Sequence, residues 1–298
     1  MKNKTLLLFL LLFWVGGASA QNKSSKESFS FVFVSDMHIQ PERNVPKSVT
    51  KALDLINKLS PDFVINGGDL IFDSNQANEQ RTDSLYDLYK QTVSQLKMPL
   101  YNVIGNHDLF GYYLANGIKP EHPMFGKKKF EKTIGPRYQT RIINGWRFFM
   151  LDDIDDLAPK TIKGSMDLDQ LAWIKAVLDS TDKQTPIAIA LHIPLITTFT
   201  LMERGPTAST SEGMVYSNAK YLLDLFKGYN LKLVLQGHTH SYETIFVQNI
   251  LFVTGGSLSG WKWNGPNRGT SPGFVLLKIK GGQITPEYID YGWKPQAK

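Results

Sequence analysis

The chain has 298 residues, 42% of them hydrophobic and 20% charged, with a formal net charge of +6 and no cysteine. That balance excludes a disordered chain, and the missing cysteines exclude a disulfide framework, a thiolate zinc site, a Cys nucleophile and a lipid-anchored amino-terminal Cys. The positive charge is not gathered into a basic run, so it does not by itself point to nucleic acid.

The chain opens with Lys2 and Lys4, an apolar run from Leu6 to Val15, Gly16-Gly17 and the A-x-A signal Ala18-Ser19-Ala20. This is the tripartite pattern of a secretory signal peptide, and the run is about half the length of a membrane span. The reading divides the chain into a signal peptide over 1–20 and a single mature domain over 21–298, exported to the periplasm or medium. No second long apolar run follows, so no membrane span is expected in the mature chain.

Phe31 to Val34 reads as a buried strand ending at Ser35-Asp36-Met37-His38. Helical spacing over Lys47 to Leu59 stops at Pro61, and the strand Phe63-Val64-Ile65 ends at Gly67-Gly68-Asp69. A helix over 79–97 leads to a strand at Leu100 to Ile104, which ends at Gly105-Asn106-His107-Asp108. This β-α-β-α-β rhythm argues for an α/β sheet with covered faces.

Residues 110–136 carry several Gly and Pro and read as a long excursion. Asn144-Gly145 marks a hairpin between Arg141 to Ile143 and Trp146 to Leu151. A helix follows over Asp167 to Leu178, with Asp167 as its N-cap. The strand Ile187 to Leu191 ends at His192, and Tyr221 to Phe226 belongs to a helix. The strand Leu231 to Leu235 ends at Gly237-His238-Thr239-His240. Segments near 242–248, 250–254, 274–280 and 284–290 read as antiparallel strands.

Five strand-like runs thus end in metal-ligand residue types: Asp36 and His38, Asp69, Asn106, His192, and His238 with His240. In open α/β sheets ligands bind at the carboxyl ends of the strands, so these clusters can converge. One histidine after a strand is ordinarily a packed or surface residue. Five of the chain's six histidines in that context, with Asp and Asn beside them, are not explained that way; His122 alone lacks it. In extended chain, Asp36 and His38 would point to one side, as would His238 and His240. Gly67, Gly68, Gly105 and Gly237 precede ligands and permit close backbone approach. Imidazole, carboxylate and amide oxygen without thiolate suit Mn, Fe or Zn, and the number of donors exceeds one four-coordinate ion.

The ordered set D-x-H, G-G-D, G-N-H-D, a later H, and G-H-T-H resembles the calcineurin-like metallophosphoesterase superfamily, as a secreted bacterial member, from about residue 31 to 290. The resemblance implies a four-layer α/β/β/α sandwich, two mixed sheets flanked by helices, with a dinuclear site at one sheet edge. Carried over by position, Asp36, His38, Asp69 and His240 would hold one divalent ion. Asp69, Asn106, His192 and His238 would hold the other, with Asp69 bridging. The implied reaction is hydrolysis of phosphate esters by in-line attack of a metal-bridging hydroxide. His107 is the expected general acid or leaving-group stabiliser, and Asp108 the residue orienting it or the adjoining loop. Purple acid phosphatases place a metal-binding Tyr where this chain has Phe72, so the Fe(III)–tyrosinate pair is not expected. The ions remain a choice among Mn, Fe(II) and Zn.

The substrate is expected to be a small phosphate ester outside the cytoplasm, with a slight lean to diesters over monoesters. Trp261, Trp263 and Arg268, in a Gly-rich run over 255–273, and Tyr112 are candidate substrate contacts; the competing reading is that the tryptophans pack the loop onto the domain. Arg204 and the 197–214 segment are candidate lid material. A non-catalytic metal- or phosphate-binding protein on the same fold is the alternative of another class. No nucleic-acid-binding module is evident.

Overall fold

The computed structural model describes residues 28–155 and 159–295. The signal-peptide reading, from Lys2 to Ala20, lies outside the described residues.

The first sheet is built from β1 (Ser28–Val34), β2 (Phe63–Asn66) and β3 (Leu100–Asn102), linked by α1 (Val45–Leu59) and α2 (Glu79–Val93). These three strands run parallel, and each helix is the crossover that a parallel connection needs. Two late strands, β12 (Gly273–Lys280) and β13 (Gln283–Asp290), extend it antiparallel in the order β13-β12-β1-β2-β3.

The second sheet contains β4 (Gln139–Ile143), β5 (Trp146–Met150), β8 (Pro186–Ala190), β9 (Asn230–Gln236), β10 (Tyr242–Val247) and β11 (Ile250–Gly255), in the order β10-β11-β9-β8-β5-β4. Its helices are α4 (Leu168–Asp179) and α6 (Ala219–Leu225). Asn144 and Gly145 turn the β4–β5 hairpin with φ of 50° and 81°, the left-handed pair that a two-residue turn demands. The strand at 250–254, expected as antiparallel, is so only towards β10; on its other side it runs parallel to β9. A separate antiparallel ribbon is formed by β6 (Ile154–Asp155) and β7 (Lys163–Gly164). Two short helices, α3 (Lys128–Thr133) and α5 (Phe199–Arg204), complete the order.

Period-two alternation explains the layering. Phe29, Phe31 and Phe33 of β1 pack with Phe63, Phe148, Met150, Leu233 and Leu235 between the sheets. Phe31 stacks on Phe63 at 4.8 Å and meets Phe148 edge-on at 5.5 Å. The intervening Val32 and Val34 face the core formed with Val49, Leu53, Ile56, Leu85 and Tyr89 of α1 and α2. On the far side, Phe149, Ile189 and Val234 pack with Ile174 and Leu178 of α4 and Leu222 of α6. Helices, sheet, sheet and helices therefore form the four layers, and the carboxyl ends of β1, β2, β3, β8 and β9 meet at one edge.

Candidate metal centre and cleft

The strand-end residues leave their strands through strained backbone. Asp36, His38, Asp69, His238 and His240 have φ of 54°, 46°, 53°, 69° and 57°. The extended geometry expected for the two D-x-H-like pairs is therefore not the one adopted: both members of each pair sit in the left-handed region, which costs a non-glycine residue on the order of 1–3 kcal/mol. The tight turns are held by backbone bonds, Asp36 N–H to Gly68 O and His38 N–H to Asp69 O, both at 3.0 Å. Gly105 is needed for close approach: a Cβ there would lie 2.2 Å from the Asp69 backbone nitrogen.

The side chains converge in two groups that share Asp69. In the first, donor atoms of Asp36, His38, Asp69 and His240 all lie within 4.8 Å of one another, and all four residues are buried. Asp36 Oδ1 is buried with no hydrogen-bond partner, 3.2 Å from His240 Nε2. In the second, His192 Nε2 lies 3.5 Å from Asp69 Oδ1, 3.1 Å from Asn106 Oδ1 and 3.2 Å from His238 Nδ1. Asp69 Oδ2 instead faces His38 Nε2 at 3.6 Å. One carboxylate thus turns an oxygen to each group.

The remaining ring nitrogens fix which atoms face inward. His192 Nδ1 meets Gly67 O at 2.8 Å, His240 Nδ1 meets Gly260 O at 2.6 Å, and His238 Nε2 meets Gly213 O at 2.8 Å. A carbonyl only accepts, so each of these nitrogens carries the proton and the other presents a lone pair. Lone pairs of His192 and His238 then face each other beside a carboxylate and an amide oxygen, an arrangement that calls for a cation. The pKa shifts express the same crowding. The surrounding carboxylates would otherwise draw a proton to the same spot: burial opposes protonation of His192, yet Asp69, Asp36 and Asp153 raise it to about 10. Burial and neighbouring His192 bring His238 down to about 4. Burial favours a neutral Asp69, but His192, His107 and His38 hold its carboxyl well below the ordinary range. The donor set fits a pair of divalent ions.

Asp108 does not touch the His107 ring. Its carboxylate accepts N–H groups of Gly105 at 2.8 Å, Leu70 at 3.1 Å and Ile71 at 3.3 Å, binding the turn after β2 to the turn after β3. Burial, with Asp69 nearby, raises it to about 8. His107 donates its backbone N–H to Asp69 Oδ1, and its ring Nδ1 meets Phe72 O at 2.5 Å. Its Nε2 lies 2.9 Å from Lys262 Nζ. Sequence reasoning passed over Lys262, although it stands between Trp261 and Trp263. It also passed over Asp153, whose Oδ1 accepts the His192 N–H at 3.1 Å. No motif marks Asp153, only its place at the exit of β5.

A cleft of about 220 Å³ opens on this centre, lined by Asp69, Asn106, His107, His238 and His240 and by Trp261, Lys262, Arg268, Phe199 and Met214. A larger hollow of about 580 Å³ by Lys127 and Arg137 contains none of the strand-end residues, and Asp152 and Asp167 already engage Arg137. Of the four expected substrate contacts, Trp261 and Arg268 line the cleft. Trp261 is 50% exposed, its ring 5.9 Å from that of His240. Trp263 and Tyr112 do not: both are buried in the core under α1 and α2. Trp263 Nε1 donates to the carbonyls of Met37 and His38, and the Tyr112 hydroxyl donates to Thr161 O at 2.7 Å. Apolar side chains next to the motifs were needed to seat the loops. The 197–214 segment forms a wall: Gly213 holds His238, and Glu203 of α5 pairs with Arg268 at 2.6 Å. Arg204 ends α5 and is exposed. His122 lies apart, accepting the Met124 N–H.

Two layered sheets with an Asp-bridged cluster of imidazoles at one edge define a metallophosphoesterase fold. Residues 29–242 match the calcineurin-like phosphoesterase family (Metallophos), and the chain belongs to it. It is 26% identical over 246 residues to the "Probable glycerophosphodiester phosphodiesterase GpdQ" of Arcobacter nitrofigilis, covering 76% of this chain and 78% of that one. Among solved structures it is similar to a dimetal phosphatase from Danio rerio, with a TM-score of 0.61 and 13% identity, over 88% of this chain and 96% of the other. It is also similar to Plasmodium GAP50, described as the anchor in the inner membrane complex, with a TM-score of 0.55 and 17% identity, over 90% and 86% of the two chains.

Proposed function

We propose that the chain is an exported hydrolase of small phosphate esters that works with two divalent ions, with a mature domain over 21–298. The observation that carries the reading is the division of Asp69: Oδ1 towards His192 and Asn106, Oδ2 towards His38. Asp36, His38, Asp69 and His240 would hold one ion, and Asp69, Asn106, His192 and His238 the other. Bound there, two such ions supply Lewis acidity and a nucleophilic water near neutral pH. Mn, Fe and Zn all suit these donors.

The chain's own residues do the rest. Gly67, Gly213 and Gly260 carbonyls hold three imidazoles with their lone pairs inward. Asp108 keeps Asp69 and Asn106 in register by binding both of their turns. The His107–Lys262 pair borders the cleft, and we place it beside the phosphoryl group and its leaving oxygen. Because Lys262 takes the His107 Nε2, the hydrogen-bond donor offered to substrate is the ammonium rather than the imidazole. Trp261 offers an open ring to the remainder of the ester.

The diester lean finds support in the likeness to a protein named a glycerophosphodiester phosphodiesterase. A specific observation favours monoesters as a second reading, namely Lys262 at the cleft, since a dianionic phosphate gains more from a cation than a monoanionic one. Export rests on the sequence pattern ending at Ala20.

The test is hydrolysis of bis-p-nitrophenyl phosphate and p-nitrophenyl phosphate by Mn²⁺-loaded protein, with Asp69→Ala as control. Metal-dependent turnover lost in Asp69→Ala supports the reading. No turnover of either ester by protein shown to hold its metal would overturn it in favour of a binding protein on this fold.

A further inference from the structure

We infer that Lys262 is a specificity-determining residue that contacts the phosphoryl group and gives the site its capacity for dianionic phosphomonoesters. The assignment rests on the hydrolytic reading above and goes beyond it by naming the residue that reads substrate charge.

Lys262 is held, not merely nearby. It sits at the tip of a loop after β11, with φ of 47°, followed by Trp263 at 65°. Two consecutive left-handed non-glycine residues are costly and persist only where the surroundings impose them. Those surroundings are specific. Trp263 is inserted beneath the loop, donating to the carbonyls of Met37 and His38, the latter itself a strand-end residue. Trp261 N–H donates to Gly265 O at 2.8 Å, and Trp263 N–H to Ser259 O at 2.8 Å, closing the loop on itself. The Arg43 guanidinium ties the outer side to Asn264 Oδ1 and the Trp263 carbonyl. At the loop's base, Gly260 O receives the His240 ring N–H. The loop that presents Lys262 is therefore built into the same hydrogen-bond system that orients the metal-site imidazoles.

The direction of the side chain follows. Lys262 Nζ reaches His107 Nε2 at 2.9 Å, across 155 residues of sequence, and lines the cleft with Asp69, Asn106 and His238. His107 Nδ1 faces Phe72 O, so the ring presents an acceptor at Nε2 and acts as a positioning residue for the ammonium. An ammonium has three donors and His107 uses one, leaving others to turn towards the cleft. The second cation lining the cleft differs. Arg268 lies against Glu203 at 2.6 Å and over the Phe199 ring at 4.6 Å, so its charge is already partnered. Among the described residues no carboxylate forms an ion pair with Lys262. Its charge is available to an anionic ligand, and each additional negative charge on the phosphoryl oxygens strengthens that contact, whereas a diester carries only one.

The experiment compares wild type, Lys262→Met and Lys262→Arg, all Mn²⁺-loaded, by titration calorimetry at about pH 8, where inorganic phosphate is mainly dianionic. Inorganic phosphate and dimethyl phosphate are the probes. Lys262→Met should weaken phosphate about 10–100-fold relative to dimethyl phosphate, the range of one charge-assisted hydrogen bond, and Lys262→Arg should recover most of the loss. In turnover, the ratio of kcat/KM for p-nitrophenyl phosphate over bis-p-nitrophenyl phosphate should fall by the same factor in Lys262→Met. Equal weakening of both probes, or no change in phosphate binding, would overturn the assignment. The two readings fail separately: Lys262-dependent phosphate binding without turnover removes the hydrolase and keeps the lysine's role, and turnover with phosphate binding indifferent to Lys262 does the reverse.

Discussion

The backbone N–H of His107 donates to Oδ1 of Asp69 at 2.7 Å, so the turn after β3 is fastened directly to the carboxylate shared by the two donor groups. The same oxygen faces His192. Asp69→Asn keeps the shape and removes the charge. It should reduce bound Mn²⁺ from two ions per chain to one or none, measured by elemental analysis, and lower kcat by at least about 100-fold.

Metal should also show in stability. A ligand that binds only the folded chain stabilises it by about 2.7 kcal/mol at 100 times its Kd. Chelator-treated protein should therefore melt several degrees lower than protein in excess Mn²⁺, and in Asp69→Asn the difference should shrink. Identical melting curves for treated and loaded wild type would count against a metal centre at this edge.

Trp261 and Trp263, two residues apart, should behave differently. Trp263→Ala removes a buried ring and the donor to two carbonyls, and should cost about 3–5 kcal/mol in chemical denaturation. Trp261→Ala, at a half-exposed ring, should leave stability within about 0.5 kcal/mol and raise KM for aryl phosphates. A stable Trp263→Ala would contradict its seat beneath the loop.

Gly260 has φ of 57°, and a Cβ there would lie 2.3 Å from the Gly265 carbonyl oxygen. Gly260→Ala must therefore displace the loop, and with it both Lys262 and the carbonyl that orients His240. Activity should fall about 10–100-fold, with Lys262→Met adding little in the double variant because both act through one structure.

Asp167, the N-cap of α4, contributes to the acid limb of stability. Burial works against the Asp167 charge, but the Gln170 N–H and the Arg137 guanidinium outweigh it and hold the carboxyl below its ordinary value. A depressed folded pKa stabilises fully above the unfolded value near 3.9 and is lost as pH falls through the folded one. Asp167→Asn keeps a capping oxygen and loses the charge. It should destabilise by less than about 1 kcal/mol at pH 7, since the carboxylate is 41% exposed, and the gap from wild type should narrow as pH falls below the unfolded value and the carboxyl protonates.

The frame of this site was legible because alternation and helical spacing locate strands, and strands deliver whatever follows them to one edge. Asp36, Asp69, Asn106, His192 and His238 could be grouped from that rule alone, and the structure brings their side chains together. The backbone at those positions was not legible, since left-handed φ at Asp or His follows from tertiary bonds such as His38 N–H to Asp69 O. Nor could a pattern separate Trp261 from Trp263, or single out Lys262. Residues two apart point alike in a strand, but in a tight loop their directions depend on turns that only the packed structure defines. The short helix α3 was hidden for a related reason: one and a half turns within a Gly- and Pro-bearing excursion carry too little periodicity to register.

The left-handed φ shared by Asp36, His38, Asp69, His238 and His240 gathers backbone strain at the edge where the imidazoles meet. Glycine at His238 or His240 would relieve local backbone strain on the order of 1 kcal/mol while deleting an inward-facing imidazole. A heat-survival screen run with chelator, where metal binding no longer adds stability, would reward such changes and thin out the imidazoles at this edge.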